Sequence, residues 1–517
     1  MNPSVDPHGG APRGRPPVPP PPTRPARPAP DTARTPVSPS PLPQPPSAEG
    51  APPHFSYDVT RYLCAAMHTD MGLARKAVAR IVHEPRRAAA ASPGVDLGCV
   101  LRHALAAHAR QQRRDVILLL LLLVMVITLP FTFGASLLLG LLVGWVVVAT
   151  ELLSVHYGVV SRKLKRENFD PKYAPRPPGA QDAARLEAIE LRDRGNVMVS
   201  SRFEPFVGHG ETYRTWSFAL NTGRPETGKQ VIPFTIHELN AYISARVGAL
   251  KLPGMDISDV LLVNGSDLLI GIDDRTRGEV LRNLAGPPGA QVSDALLREL
   301  REDGKSRARP YLAIRVTGWS GELVSTLFLR CALLSGRDTA FIEGSTCLLT
   351  PVREKYRTVD RLLDSPTFRQ WCQLVAEAGV RTPILLIRAP FAILGDLFAP
   401  LARRRAQRRQ ERWIRLRSFD YGAEFSLREE ASDRLFYRYF QALDRELYAK
   451  TIEHRVLDAL VQFLEDHNID SRDLIQRQTS IYNSGLFAGR DISIKGSTVR
   501  AGGAGRQWNN PQPPKQR

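Results

Sequence analysis

The forty residues from Val116 to Val155 are almost wholly apolar, and no other feature constrains this chain as strongly. At ~1.5 Å of rise per residue, a single helix of that length would measure roughly 60 Å, about twice the ~30 Å hydrocarbon core of a bilayer. Pro130, Thr132 and Gly134 fall near its middle, where a lost amide donor and a permissive backbone break a helix and reverse the chain. The run therefore predicts a two-helix transmembrane hairpin over residues 116–156. Arg110, Arg113 and Arg114 precede it and Arg162, Lys163, Lys165 and Arg166 follow, whereas Pro130 to Ser136 carries no charge. Basic flanks resist translocation, so the expectation is a two-span protein of the cytoplasmic membrane with both termini cytoplasmic. A soluble hairpin would need neighbours covering leucine on every side.

The remaining length leaves room for one or two soluble domains. Cys64, Cys99, Cys331, Cys347 and Cys372 are odd in number and never form a C-x-x-C pair, which suits reduced thiols in the cytoplasm. The formal charge of +18 favours anionic partners. For a membrane-anchored chain the lipid bilayer and its anionic headgroups are the simplest of these. The amino terminus lacks the charged and apolar regions of a secretory signal, so the hairpin itself is expected to direct insertion.

Residues 1–53 are dominated by proline and cannot pack a core, which predicts a disordered spacer. Residues 55–110 read as a small helical region, with Val59, Tyr62, Leu63, Ala66 and Met67 on one stripe and Val100, Leu101, Leu105 and His108 on another. His68, His83, His103 and His108 raise the question of a metal. The five-residue step from His103 to His108 does not stack ligands on one helical face, and no metal site is assigned. A proline-rich linker and a helix occupy 171–194. Residues 195–350 then alternate strand-like runs with one well-marked helix, predicting an α+β domain. The expected strands are Asn196–Ser201, Thr212–Leu220, Gln230–Phe234, Val260–Val263, Tyr311–Gly318 and Glu322–Leu333, the last two joined as a hairpin. Thr235 and Glu238 form a capping box at the start of a helix over Ile236–Leu250.

Phe203-Glu204-Pro205-Phe206-Val207-Gly208-His209-Gly210 and Trp216-Ser217-Phe218-Ala219 resemble segments of an uncharacterised family of actinobacterial membrane proteins, as does the order of helical region, hairpin and β-rich domain. The resemblance spans roughly Phe55 to Thr350 and extends toward the carboxy-terminal helices. It implies no activity. Read from the residues, the glycines and Pro205 build a tight loop whose aromatic side chains fill a core.

No chemical motif is complete. Gly223-Arg224-Pro225-Glu226-Thr227-Gly228-Lys229-Gln230 approaches a P-loop, and Leu268 to Asp274 mimics its acidic strand. A P-loop needs a hydroxyl after the lysine and a helix beginning there, whereas Gln230 leads into Val231, Ile232 and Pro233. His237-Glu238-Leu239-Asn240-Ala241 starts like a zinc-protease helix but has alanine at the second ligand position. No cofactor is expected. Residues 351–475 read as a helical region. Within it, Pro383 to Pro400 is apolar, but Arg388, Asp396 and three prolines make a third crossing costly. That segment is expected at the interface or on the soluble domain, with Arg403, Arg404, Arg405, Arg408, Arg409, Arg412, Arg415 and Arg417 at lipid headgroups and Trp413 as an anchor. Nucleic acid is a poorer partner, because one basic run has no reading surface. Ser432 to Asp466 offers a long helix with an apolar stripe for packing on its own domain, on a protein partner or on a second copy. A strand pair within Tyr482–Ile494 precedes a polar tail, the carboxy-terminal segment being 476–517. The sequence thus points to a non-enzymatic, membrane-anchored binding or scaffold protein, the competing class being a membrane-anchored enzyme with an unrecognised active site.

Overall fold

Helical periodicity and caps build the amino-terminal half. Helix α1 (Asp58–Thr69) is followed by α2 (Met71–Ala77), whose amides at Gly72 and Leu73 are capped by Asp70. Asp96 caps α3, which runs unbroken from Leu97 to Thr128, so the second apolar stripe and the first long apolar segment form one helix. Pro130 lies in a 3-10 turn, and Phe133 and Gly134 adopt positive φ before α4 (Ala135–Leu153) returns and continues as a π-helical turn, Ser154–Val160. The computed structural model describes residues 57–478, apart from 194, 202 and 335–337, together with strands Ile492–Ile494 and Ser497–Val499. The proline-rich tail lies outside the described residues, as does the strand pair expected within Tyr482–Ile494, except for Ile492–Ile494.

Beyond α5 (Ala180–Asp193), six strands form one mixed sheet: β1 (Val197–Ser200), β2 (Glu211–Asn221), β3 (Met255–Asn264), β4 (Arg309–Gly318), β5 (Leu323–Leu333) and β6 (Thr339–Leu349). Their spatial order is β1-β3-β4-β5-β6-β2, with β1 parallel to β3 and every other pair antiparallel. Period-two alternation divides the faces. Leu312, Ile314 and Val316 meet the helix α6 (Ile236–Gly248), while Tyr311 and Ala313 point to the opposite side with Phe206 and Phe328. The capping box at Thr235 and Glu238 is formed in both directions. Helix α7 (Asp294–Glu302) buries Leu296, Leu297 and Leu300 over the β1/β3 end. The architecture is α+β with a helical carboxy-terminal region.

Two expectations within this domain differ from the structure. Gln230–Phe234 is not a strand: Ile232 donates to His467 O at 3.0 Å, and Pro233 removes a ladder donor. Conversely, β6 was not anticipated, because Gly344 interrupts its apolar alternation. That glycine makes room for Trp216, whose ring would lie 2.4 Å from an added Cβ.

A third correction concerns the helix count. Three helices, not two, are long and apolar enough to cross a membrane, the third being α8 (Phe368–Arg415). It continues through Pro383, Pro390 and Pro400. Thr382 donates its hydroxyl to Ala378 O at 2.7 Å, beside the Gly379 carbonyl that Pro383 leaves without its usual amide partner. Leu385, Leu386 and Ala389 of α8 pack with Leu118 of α3 and Val148 of α4. Gly144 is the close-approach point, with Thr382, Leu121 and Leu386 all around its backbone. The last helix, α9 (Tyr439–Asp466), places Val456, Leu460 and Phe463 in the sheet core. Its first turns instead expose Phe440, Leu443 and Leu447, so only the carboxy-terminal half of the stripe packs on its own domain.

Candidate functional site: a cationic cavity beneath the apolar helices

At the base of α3 and α4, α8 and α2 enclose a cavity of about 680 Å³. Its size falls within the ~300–1,000 Å³ range of ligand pockets. Arg75, Arg110, Arg114, Lys355, Arg381 and Arg388 line it, against Asp70, Asp115, Glu151 and Glu377. Helical spacing brings these charges together: Arg110 and Arg114 stand four residues apart on α3, and Arg381 and Arg388 seven apart on α8. Leu152, Val155, Leu385 and Ala392 complete a wall that is apolar toward the long helices.

All four carboxylates are already engaged. Asp115 accepts from Arg114 at 2.6 Å and lies 3.5 Å from Arg75, while Glu151 lies 3.2 Å from Arg114. Glu377 pairs with Arg381 on the next turn. Asp70 accepts from Lys355 at 2.6 Å and from the Tyr356 hydroxyl at 2.9 Å. Burial pushes the Asp70 carboxyl up, but bonds from Lys355, the Leu73 amide and Tyr356 outweigh it and hold the group below its ordinary range. Arg110 and Arg388 have no carboxylate at ion-pair distance among the described residues. Arg110 donates instead to His68 Nδ1 at 2.5 Å. Burial, with the His103 ring and Arg110 nearby, drives the His68 imidazole well below its ordinary range, leaving it neutral. The cavity thus holds two cations in excess of its carboxylates, in a partly desolvated wall where an anion gains most.

A smaller cavity, about 290 Å³, lies against the sheet and is lined by Ala88 to Ala91, Ser258, Arg315 and His209. It belongs to the Phe203–Gly210 segment. Gly208 and Gly210, both at positive φ, donate their amides to Glu429 Oε1 at 2.6 and 2.9 Å. Phe206 stacks on Phe328 with centroids 4.4 Å apart, and His209 contacts Thr326 Oγ1 at 3.2 Å. Burial, with Arg315 nearby, takes the His209 ring down to about 3, so it is a neutral packing residue. The near P-loop is a surface turn in which Lys229 pairs with Glu226 at 2.7 Å, and the next helix begins only at Ile236.

Residues 215–495 match the AbeC-like domain. The chain belongs to the AbeC-like domain family. No curated protein and no solved structure matches it. The AbeC-like match starts inside β2, includes Trp216 to Ala219, and extends through the carboxy-terminal helices α8 and α9. It takes in Lys355, Tyr356, Glu377, Arg381 and Arg388 of the cavity, whereas the α2, α3 and α4 walls precede it.

The arginines singled out in the sequence lie elsewhere on α8. Arg403, Arg404, Arg405, Arg408, Arg409, Arg412 and Arg415 are exposed on its last turns, as is Trp413, and Arg417 follows at positive φ. None of them has an ion pair among the described residues. On the opposite side of the same turns, Gln410 donates to Glu84 at 3.0 Å, and Arg86 donates to Gln407 O and Glu411, both at 2.8 Å. Of the α8 charges named from the sequence, Arg388 alone, taken as a cost of insertion, lines the cavity.

Proposed function

We propose that this AbeC-like chain is an integral membrane protein that crosses the bilayer with the α3/α4 hairpin and holds the anionic, phosphate-type headgroup of an amphiphile in the cavity at its base. The cavity carries the proposal: cations exceeding their carboxylate partners line a wall that runs directly into bare apolar helix. Val126, Ile127, Phe131, Phe133 and Leu138 at the hairpin tip are 62–102% exposed, a surface suited to lipid and not to water. One end of α8 meets the hairpin's base and the other meets the segment that precedes α3. Gln370 accepts from the Tyr157 hydroxyl at 3.2 Å, just after α4, and the far end binds Glu84 and Arg86, just before α3. Such contacts favour an α8 that lies against the hairpin on the cytoplasmic side over a third crossing, and they keep Arg403 to Arg417 beside the inner leaflet.

The test uses the full chain in nonionic detergent. Micellar phosphatidic acid should raise its thermal stability by mass action, and phosphatidylcholine should not. Arg110→Gln with Arg388→Gln should abolish the difference. Equal stabilisation by both lipids, or an unchanged response in the double variant, would overturn the assignment.

A further inference from the structure

Behind the cavity, α1 and α3 run side by side with the same short pattern on each, Cys64-x-x-x-His68 and Cys99-x-x-x-His103. A four-residue step stacks both side chains on one helical face, and a constant offset of 35 residues sets like against like. Cys64 Sγ lies 3.7 Å from Cys99 Sγ, and His68 Nε2 lies 3.0 Å from His103 Nδ1. The ligand atoms of Cys64, Cys99 and His103 all fall within 4.8 Å of one another. Exposure is 0% for Cys64, 1% for Cys99 and 4% for His103, so these three are shut away from water, while His68, 8% exposed, borders the cavity.

The sulfur–sulfur separation matches one edge of a tetrahedral ligand shell, and His68, outside the 4.8 Å group, reaches it through the His103 ring. Zinc–sulfur bonds of ~2.3 Å and zinc–nitrogen bonds of ~2.0 Å imply tetrahedron edges of ~3.8 Å between two sulfurs and ~3.3 Å between two nitrogens. We infer that Cys64, Cys99 and His103 form the core of a structural site for one soft divalent cation of the zinc class, with His68 becoming the fourth ligand by a shift of its ring toward the sulfurs, and that the ion clamps α1 to α3 beneath the hairpin. Two thiolates balance a divalent ion, so the loaded site is neutral, as its buried position demands.

The protons balance. A guanidinium has no lone pair, so Arg110 can only donate to His68 Nδ1, which assigns the His68 proton to Nε2, shared with His103. On loading, the two thiol protons leave to solvent and the ion replaces the proton between the rings. That proton moves to His68 Nδ1, and Arg110 turns toward the cavity it lines. Binding therefore releases two protons and weakens in acid.

Cobalt(II) titration of the full chain, reduced and stripped with chelator in nonionic detergent, tests this site. One equivalent should bind with tetrahedral d–d absorption and a sulfur-to-cobalt charge-transfer band, and zinc should displace it. The paired variant Cys64→Ser, Cys99→Ser should lose the charge-transfer band, Cys372→Ser should keep it, and His68→Gln should weaken binding by more than the ~10–100-fold that loss of a partner outside the ligand set costs. Because the wild-type spectrum stands alone, a misfolded variant leaves the test intact. Absence of the charge-transfer band from the reduced wild type would overturn the site. So would its persistence in the paired cysteine variant, or a native disulfide joining Cys64 to Cys99 in peptide mass mapping.

Discussion

Arg61 is almost fully buried and joins three segments far apart in the chain. It donates to Asp58 at 3.0 Å within α1, to Leu164 O at 3.2 Å after the hairpin, and to Asp360 at 2.5 Å before α8. Replacing it with methionine keeps much of the volume and removes every donor. Breaking a buried pair from one side costs about 3–5 kcal/mol, because a charge is left without compensation. Two features place Arg61→Met at the low end. Asp58 keeps Arg166 at 2.6 Å, and the Asp360 side chain is 37% exposed, so water recovers part of the loss. The expected cost is about 3 kcal/mol, measured by denaturant unfolding in detergent. The coupling to Asp360→Leu in a double-mutant cycle should be about 1–2 kcal/mol. Burial pushes Asp360 up, but the bonds from Arg61 and Tyr62 prevail and its folded value is lowered. The pair's stabilisation is therefore complete above the unfolded value of ~3.9 and lost as pH falls through the folded one, so the variant's deficit should shrink in acid. A neutral-pH cost under about 1 kcal/mol, the size of an exposed pair, would refute the reasoning.

Topology reporters placed before Arg110, after Arg166 and after Arg417 should all report the cytoplasmic side; a reporter after Arg417 on the outer side would make α8 a third crossing. Replacing Arg403, Arg404, Arg405, Arg408 and Arg409 with glutamine should reduce capture of the solubilised full chain on anionic vesicles and flatten its salt response, since each surface-apposed arginine contributes ~1 kcal/mol at most and is screened over ~8 Å. Equal capture of wild type and variant would leave that stretch a solvated face. Lys229→Ala should leave ATP and GTP binding unchanged in equilibrium dialysis, because the turn has neither helix nor magnesium-ligating hydroxyl. Thr235→Ala should cost about 1 kcal/mol of stability through the lost amide partner at Glu238, read by the same unfolding assay.

Local signals carried the fold where partner and pattern agree. The Thr235 capping box, the break at Pro130 to Gly134 and the alternation of Tyr311 to Gly318 each name their own structure, because one to ten neighbouring residues decide it. Where a distant residue decides, the sequence is silent. Gly344 reads as a strand breaker until Trp216 is placed over it, and Gln230–Phe234 reads as a strand until its backbone is seen to bond His467. The paired Cys-x-x-x-His pattern is legible only when cysteines and histidines are taken together: the five-residue step from His103 to His108 stacks nothing, whereas four-residue steps join His68 to Cys64 and His103 to Cys99.

The long helix α8 shows how a linear reading of charge can mislead. Arg388 and Asp396 look prohibitive within Pro383 to Pro400 when each charge is costed alone. On a helix they divide from their neighbours: Arg381, Leu385, Arg388 and Ala392 recur at steps of four, three and four and face the cavity. Ile384, Ile387, Phe391, Leu394 and Phe398 recur at similar steps and point outward, 48–71% exposed. Asp396 is met by Gln112 at 3.0 Å on α3. Arg381 and Asp396 are thus met by the protein, Arg388 faces the cavity, and the outward face remains apolar for about four turns, or ~20 Å at 1.5 Å per residue. Under the proposed function α8 lies in the plane of the interface, with its exposed side toward acyl chains and its charges toward the cavity. The same division makes Arg388 the sharpest single probe of this arrangement. Arg388→Leu would extend the apolar surface into the cavity, abolish discrimination between phosphatidic acid and phosphatidylcholine, and leave the α3/α4 packing around Gly144 untouched.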